Sequence, residues 1–174
     1  MKILEERGYI YQKHISTGGE GEIHLIKSVD KMFIAKVFPK MSDDTFHLLE
    51  NIGKLDIPNI PKIHEIFNYE DKTILIRDFV EGNTLYDEIR KNGYLTLKRS
   101  KEIILKICDA LKALHNIKPN PVIYRDLKPE NVIVTPDGDI RLIDFGIARY
   151  HKLEATRDTV LAGTLGYTAP EVMA

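Results

Sequence analysis

The sequence predicts an α+β fold of two unlike parts, on three observations: five strand-like runs with one helix among them fill residues 1–80, a helical pattern takes over after that, and short strand-like runs follow the helices. Residues 9–14, 22–28 and 32–38 read as strands. A glycine cluster separates the first two, and Ser28-Val29-Asp30-Lys31 makes a turn between the second and third, so the three form an antiparallel meander. Ser42-Asp43-Asp44 is a helix-start signal ahead of Phe46, Leu48, Leu49 and Ile52, because a serine oxygen can cap the first free N–H groups. Pro58 and Pro61 break the pattern, and residues 62–69 and 73–80 complete a five-stranded antiparallel set. Beyond Glu81-Gly82-Asn83 a long amphipathic stretch, 96–116, carries Leu97, Ile103, Ile104, Ile107, Leu111 and Leu114. Residues 132–135 and 140–143, joined by the turn Pro136-Asp137-Gly138, are short strands.

A chain of 174 residues that is 43% hydrophobic and 29% charged is able to bury a real core, which disfavours disorder. A net charge of -1 gives no bulk attraction to nucleic acid or anionic membrane, so neither is expected as a partner. The single cysteine, Cys108, excludes a disulfide framework and is expected to be a buried thiol within the apolar run around Ile103 to Leu111. With no signal-like or membrane-length apolar stretch, the expectation is a soluble, cytoplasmic protein.

The chemistry concentrates in Val122-Ile123-Tyr124-Arg125-Asp126-Leu127-Lys128-Pro129-Glu130-Asn131-Val132-Ile133-Val134, where an acid, a base and an amide fall within six residues on an irregular loop. The plainer alternative is a solvated turn with a proline in it. Thirteen residues after Asn131, Asp144-Phe145-Gly146 places a carboxylate after the strand Arg141-Leu142-Ile143. An Asp and an Asn at two strand ends offer oxygen ligands suited to Mg²⁺, which takes one or two carboxylates plus phosphate oxygens.

These strings resemble the catalytic loop and Asp-Phe-Gly motif of eukaryotic-type (Hanks-type) serine/threonine protein kinases. A polar string of this length and order is far more specific than any glycine motif. The resemblance runs from Tyr9 to Ala174 and implies a two-lobed protein-kinase-like fold, with residues 1–80 as the first lobe and 81–174 as the start of a helical second lobe. It implies that Asp126 orients or accepts the substrate hydroxyl proton, that Lys128 contacts the transferred phosphate and points to Ser/Thr substrates, and that Asn131 and Asp144 hold Mg²⁺ on ATP. The family usually has His where this chain has Tyr124, and an aromatic ring there fills the same packing role beneath Phe145.

Ser16-Thr17-Gly18-Gly19-Glu20-Gly21-Glu22-Ile23 is a plain hairpin loop or, beside that catalytic loop, resembles the glycine-rich loop over ATP. Gly18 and Gly21 then stand at its second and third glycine positions, Ile23 at the apolar position that follows, and Ser16 at the first glycine position. Lys36, inside the apolar run Phe33-Ile34-Ala35-Lys36-Val37, sits on the exposed face of a strand or is buried toward an anion. The resemblance makes it the residue that pairs with the ATP α/β-phosphates, puts Ile34 above the adenine, and adds Ile133 to the nucleotide-binding set. The helix glutamate that normally partners this lysine falls on Leu48; either the helix is offset and Glu50 forms the pair, or the pair is absent. Backbone groups of Asp78 and Val80 would bond the adenine, and Arg77 falls at the gatekeeper slot.

The activation segment runs from Asp144 to Glu171 with Thr156, Thr159, Thr164 and Thr168, and ends in Ala169-Pro170-Glu171, which suits protein rather than small-molecule substrates. A phosphate on Thr156 or Thr159 could pair with Arg125 and Arg149. Asp144-Phe145-Gly146-Ile147-Ala148-Arg149 is similar to bacterial members. The family's further helices do not follow Ala174, so a partial domain is expected, with apolar area that favours self-association or a completing partner and with activity conditional on that completion. The alternative function is a catalytically silent nucleotide-binding or protein-interaction module.

Overall fold

The computed structural model describes residues 2–19, 21–146, 148–150, 164 and 166–169. The chain divides into two compact units, Met1–Asp56 with Pro61–Phe79, and Ile57–Ile60 with Val80–Ala174. In the first, β-branched and aromatic residues build β1 (Ile10–Gly18), β2 (Gly21–Ser28), β3 (Lys31–Pro39), β4 (Ile63–Tyr69) and β5 (Lys72–Asp78), preceded by a short helix α1 (Lys2–Glu6) and interrupted by α2 (Asp43–Gly53). The strands form one antiparallel sheet in the order β1-β2-β3-β5-β4. This is the five-stranded antiparallel sheet with one internal helix that the sequence predicts.

Strand alternation assigns the two faces of the sheet. Phe33, Ala35, Ile74 and Ile76 join Tyr9, Ile26 and Phe67 in one core cluster, and Leu4 of α1 completes it. Ile34, Lys36 and Phe38 alternate with them along β3 and so point to the other face. Ser42 caps α2 as expected, its side chain accepting from the Thr45 N–H, and Leu48, Leu49 and Ile52 are buried. Two features were not legible in advance. Helix α1 has only five residues, too few for a periodic signal, and is held by Leu4 packing and by Arg7, whose guanidinium lies 3.8 Å over the Phe67 ring and 2.7 Å from Glu65. Strand β1 runs on past the expected end at residue 14 to Gly18, because it pairs with β2 as far as Gly18↔Gly21.

The second unit starts with β6 (Asn83–Thr84), α3 (Leu85–Asn92) and α4 (Leu97–His115), followed by β7 (Val122–Ile123), a 3₁₀ turn (Pro129–Asn131), β8 (Val132–Val134), β9 (Ile140–Leu142) and β10 (Arg149–Tyr150). Its strands make two small sheets, β6-β8-β9 and β10-β7. Thr84 and Thr96 cap α3 and α4 by accepting from the Asp87 and Arg99 N–H groups, each cap contributing about 1 kcal/mol. Gly82, at φ +145°, lets the chain enter β6 where a Cβ would stand 2.2 Å from the Val134 carbonyl oxygen.

Helix α4 corrects part of the sequence expectation. Its buried stripe is Ile103, Ile107, Ala110 and Leu114, whereas Leu97 and Ile104 are 87% and 57% exposed and the Cys108 thiol is exposed rather than buried. At 100° per residue, a contiguous apolar run such as Ile103-Ile104-Leu105 wraps around the helix, so only one of the three falls on the buried stripe. Cys108 follows Ile107 by one residue and is turned off the stripe in the same way. No helix among the described residues is long and apolar enough to cross a membrane.

Candidate active site

In the first unit the sheet ladder places the candidate nucleotide residues. Lys36 is 7% exposed, sits between Ile23 on β2 and Leu75 on β5, and holds its ammonium 4.6 Å over the Phe38 ring. Burial removes the exposed-face alternative for this lysine. Ile34, also buried, lies two residues away on the same face, opposite Arg77, and half-buried Ile23 flanks Lys36. Gly18 and Gly21 pair across the mouth of the β1–β2 hairpin. They differ in what constrains them. Gly21 has φ +137° and a Cβ there would stand 2.1 Å from the Val37 carbonyl oxygen, so close packing on β3 demands glycine; around Gly18 the space is open. Glu20 between them lies outside the described residues.

Leu48 is buried to 1%, which fits an apolar residue at the position where the helix glutamate was sought. Glu50 is engaged within its own helix, 3.5 Å from His47 Nδ1 and 3.8 Å from Lys54 Nζ. At the end of β5 the Asp78 carboxylate sits 2.9 Å from Lys31 Nζ and 2.8 Å from His64 Nε2. Burial pushes this carboxyl up, but the hydrogen bonds and charges of Lys31 and His64 outweigh it and hold it below the ordinary aspartate value. The Asp78 N–H donates to the Lys62 carbonyl and its own carbonyl accepts from Arg77 Nη1 at 3.1 Å.

In the second unit the candidate catalytic residues converge on one carboxylate. Asp126 is 4% exposed; its Oδ1 accepts from the Thr164 hydroxyl at 2.8 Å, and its Oδ2 accepts from Asn131 Nδ2 at 2.6 Å and from Lys128 Nζ at 2.9 Å. Lys128 Nζ also donates to the Thr164 hydroxyl oxygen at 2.9 Å, so that one hydroxyl is held between ammonium and carboxylate. Burial raises the Asp126 carboxyl, and the hydrogen bonds from Lys128, Thr164 and Asn131 more than reverse it, leaving the group lowered and therefore ionised at neutral pH. The sequence places Thr164 among the activation-segment threonines and in the string from Gly163 to Glu171 that resembles the family's stretch beside the peptide site; its bond to Asp126 is not among the expectations, and the Gly163-Thr164 string is the signal that marks it.

The loop is built to hold that position. Tyr124, 2% exposed, donates its hydroxyl to the Ile143 carbonyl at 2.5 Å and packs edge-on against Phe145 with ring centroids 5.0 Å apart. The Ile143 N–H donates to the Asn131 carbonyl at 2.9 Å, extending the β8–β9 pairing so that Asn131 and Asp144 flank the same end of it. Asp144 and Arg125 adopt φ +79° and +70°, a left-handed conformation costing about 1 kcal/mol or more in a non-glycine residue. The Asn131 amide nitrogen is committed to Asp126, which leaves its oxygen as the end able to meet a cation, and the Asp144 Oδ1 accepts from the Gly146 N–H at 3.3 Å. One carboxylate and one amide oxygen make a donor set that fits a hard cation completed by phosphate oxygens. Ile133 and Val80 are half-buried. Thr156, Thr159 and Glu171 lie outside the described residues, while Thr168 donates its hydroxyl to the Thr164 carbonyl at 3.0 Å.

The protein kinase domain family model matches residues 9–174, and the chain belongs to that family. Its relatives carry serine/threonine and calmodulin-linked kinase names. The chain is 33% identical over 153 residues to the calcium/calmodulin-dependent protein kinase type IV of Mus musculus, covering 84% of this chain and 32% of that protein. It is 34% identical over 172 residues to a probable myosin light chain kinase of Dictyostelium discoideum, covering 95% and 54%. Against the serine/threonine-protein kinase cds1 of Schizosaccharomyces pombe it is 32% identical over 125 residues, covering 72% and 26%. The chain thus spans between about a quarter and about half of the length of these relatives.

Proposed function

We propose that the chain is the nucleotide-binding and catalytic part of a serine/threonine protein kinase, which transfers the γ-phosphoryl group of ATP to Ser or Thr hydroxyls of proteins. The observation that carries this reading is the Thr164 hydroxyl donating to Asp126 while accepting from Lys128. A substrate hydroxyl in the same place would be oriented by Asp126 Oδ1, with the Lys128 ammonium beside the developing phosphoryl charge. Because the Asp126 carboxyl is lowered, it acts mainly by orienting the hydroxyl and takes the proton late, as the bond to phosphorus forms. In the first unit, Lys36 binds the α/β-phosphates, backbone N–H groups around Gly18 and Gly21 approach them, and Ile23, Ile34 and the Asp78 backbone are the base-binding groups; in the second unit, Ile133 and the Val80 backbone take that role. Asn131 and Asp144 would hold Mg²⁺, which when bound neutralises phosphate charge. The Asp144 to Arg149 string supports a bacterial-type member.

The test is radiolabelled phosphate transfer from ATP to casein and to the chain itself, with Asp126→Asn alongside. Transfer is expected to fall by about a hundredfold or more in the variant. Undiminished transfer would overturn the role of Asp126. A melting temperature raised by Mg-ATP with no transfer from either form would establish the silent nucleotide-binding module instead.

A further inference from the structure

Asp78 is fixed from several sides. Its N–H is paired with the Lys62 carbonyl at 2.9 Å, and its carboxylate is held by Lys31 and His64. It lies one residue past the β4–β5 ladder, whose first pair is Ile63↔Arg77. There the Asp78 carbonyl accepts from Arg77 Nη1 at 3.1 Å. Arg77 is cross-strand from Ile34 and so shares the sheet face of Lys36. A guanidinium carries five N–H donors, no acceptor and a permanent positive charge.

These facts change what a purine meets at this carbonyl. A bare carbonyl is an acceptor and rewards a ring that presents an N–H donor, such as the 6-amino group of adenine. A carbonyl already covered by a guanidinium presents positive charge and donors in the same place. A 6-amino group then faces like polarity, and a 6-oxo group faces its complement.

We propose that Arg77 is a base-specificity residue: by covering the Asp78 carbonyl, it weakens the preference for adenine and opens the site to 6-oxopurine nucleotides such as GTP or ITP. The inference rests on the nucleotide-binding reading above, in which the Asp78 backbone meets the base. Arg77 acts through the Asp78 carbonyl and the C6 substituent alone, so phosphate binding at Lys36 does not depend on it.

The experiment is calorimetric titration of the whole chain, in Mg²⁺, with the imido analogues of ATP and GTP, on the natural chain, Arg77→Leu and Arg77→Lys. Removing the guanidinium is expected to tighten the ATP analogue, weaken the GTP analogue and shift the ratio of their Kd values by about tenfold, the scale of one charge-assisted hydrogen bond. Arg77→Lys, which keeps the charge without the planar fork, is expected to fall between. A ratio unchanged within about twofold in both variants overturns the proposal while leaving the nucleotide site intact. Neither analogue binding to the natural chain overturns the nucleotide-binding reading itself, and the proposal with it. A measurement on the natural chain stands if a variant fails to fold: purine riboside triphosphate, which lacks the C6 substituent, is expected to bind as tightly as ATP. A loss of about tenfold or more on removing the amino group would show the carbonyl acting as a plain acceptor and overturn the proposal.

Discussion

The two units hold their candidate residues by different means. In the first, Ile23, Ile34 and Lys36 ride on a continuous antiparallel ladder, where strand alternation alone decides which side chains share a face. In the second, Asp126, Lys128, Asn131 and Asp144 sit on irregular backbone, and side-chain hydrogen bonds converging on Asp126 do what the ladder does in the first. Rigidity comes from repetition in one unit and from specific polar contacts in the other. Changes in the ladder should therefore register first as lost stability, and changes in the loop first as lost chemistry.

The sharpest way to break that contrast is Lys36→Met. Met nearly matches the buried volume, so the melting temperature is expected to stay within a few degrees while affinity for Mg-ATP falls by about tenfold or more, read by titration. Unfolding of this variant would make Lys36 a structural residue like its ladder neighbours and leave the division without an exception. The next largest effect is expected from Gly21→Ala, whose new Cβ would meet the Val37 carbonyl at 2.1 Å in a left-handed backbone: about 3 kcal/mol of destabilisation by denaturant unfolding, against under about 0.5 kcal/mol for Gly18→Ala in open space. Tyr124→Phe keeps the ring and removes the hydroxyl that donates to the Ile143 carbonyl, so a loss of about 1–2 kcal/mol is expected, with phosphotransfer falling by more than the melting temperature shift explains if the loop is held as described.

The smallest expected effect is electrostatic. Arg141, and to a lesser degree Lys106, hold the Asp139 carboxyl down at about 2. A carboxyl lowered on folding stabilises the native state at pH above its unfolded value near 3.8, and that contribution disappears as pH falls toward about 2. Asp139→Asn should therefore lower stability slightly at pH 7 and match the natural chain near pH 2, as acid titration of the unfolding midpoint would show. A gap that widened on acidification would contradict the assigned sign.

The same division explains what the sequence made legible. Strands and the α2 cap were readable because period-two runs and a residue such as Ser42 act over a few positions. The burial of α4 was only half readable: helical spacing located Ile103, Ile107 and Leu114 but could not say which shoulder of the apolar band turned away, so Ile104 and Cys108 were misplaced. On the loop, Asp126, Lys128 and Asn131 stood out as a dense polar string, yet the contact between Thr164 and Asp126 spans 38 positions, so the loop itself carries no sign of it and the Gly163-Thr164 string marks only one end. The Arg77 bond to its neighbour's carbonyl was equally silent, because a side chain at a strand end has several directions open to it.

The family match begins at residue 9, but the folded core begins earlier: Leu4 is 1% exposed within the sheet's cluster, and Arg7 lies over Phe67. Homology boundaries and folding boundaries therefore differ here by about one helical turn. A protein expressed from residue 9 onward would carry every motif named above and still uncover apolar surface of the cluster that Leu4 completes, and its low solubility would be misread as a property of the kinase family rather than of the cut.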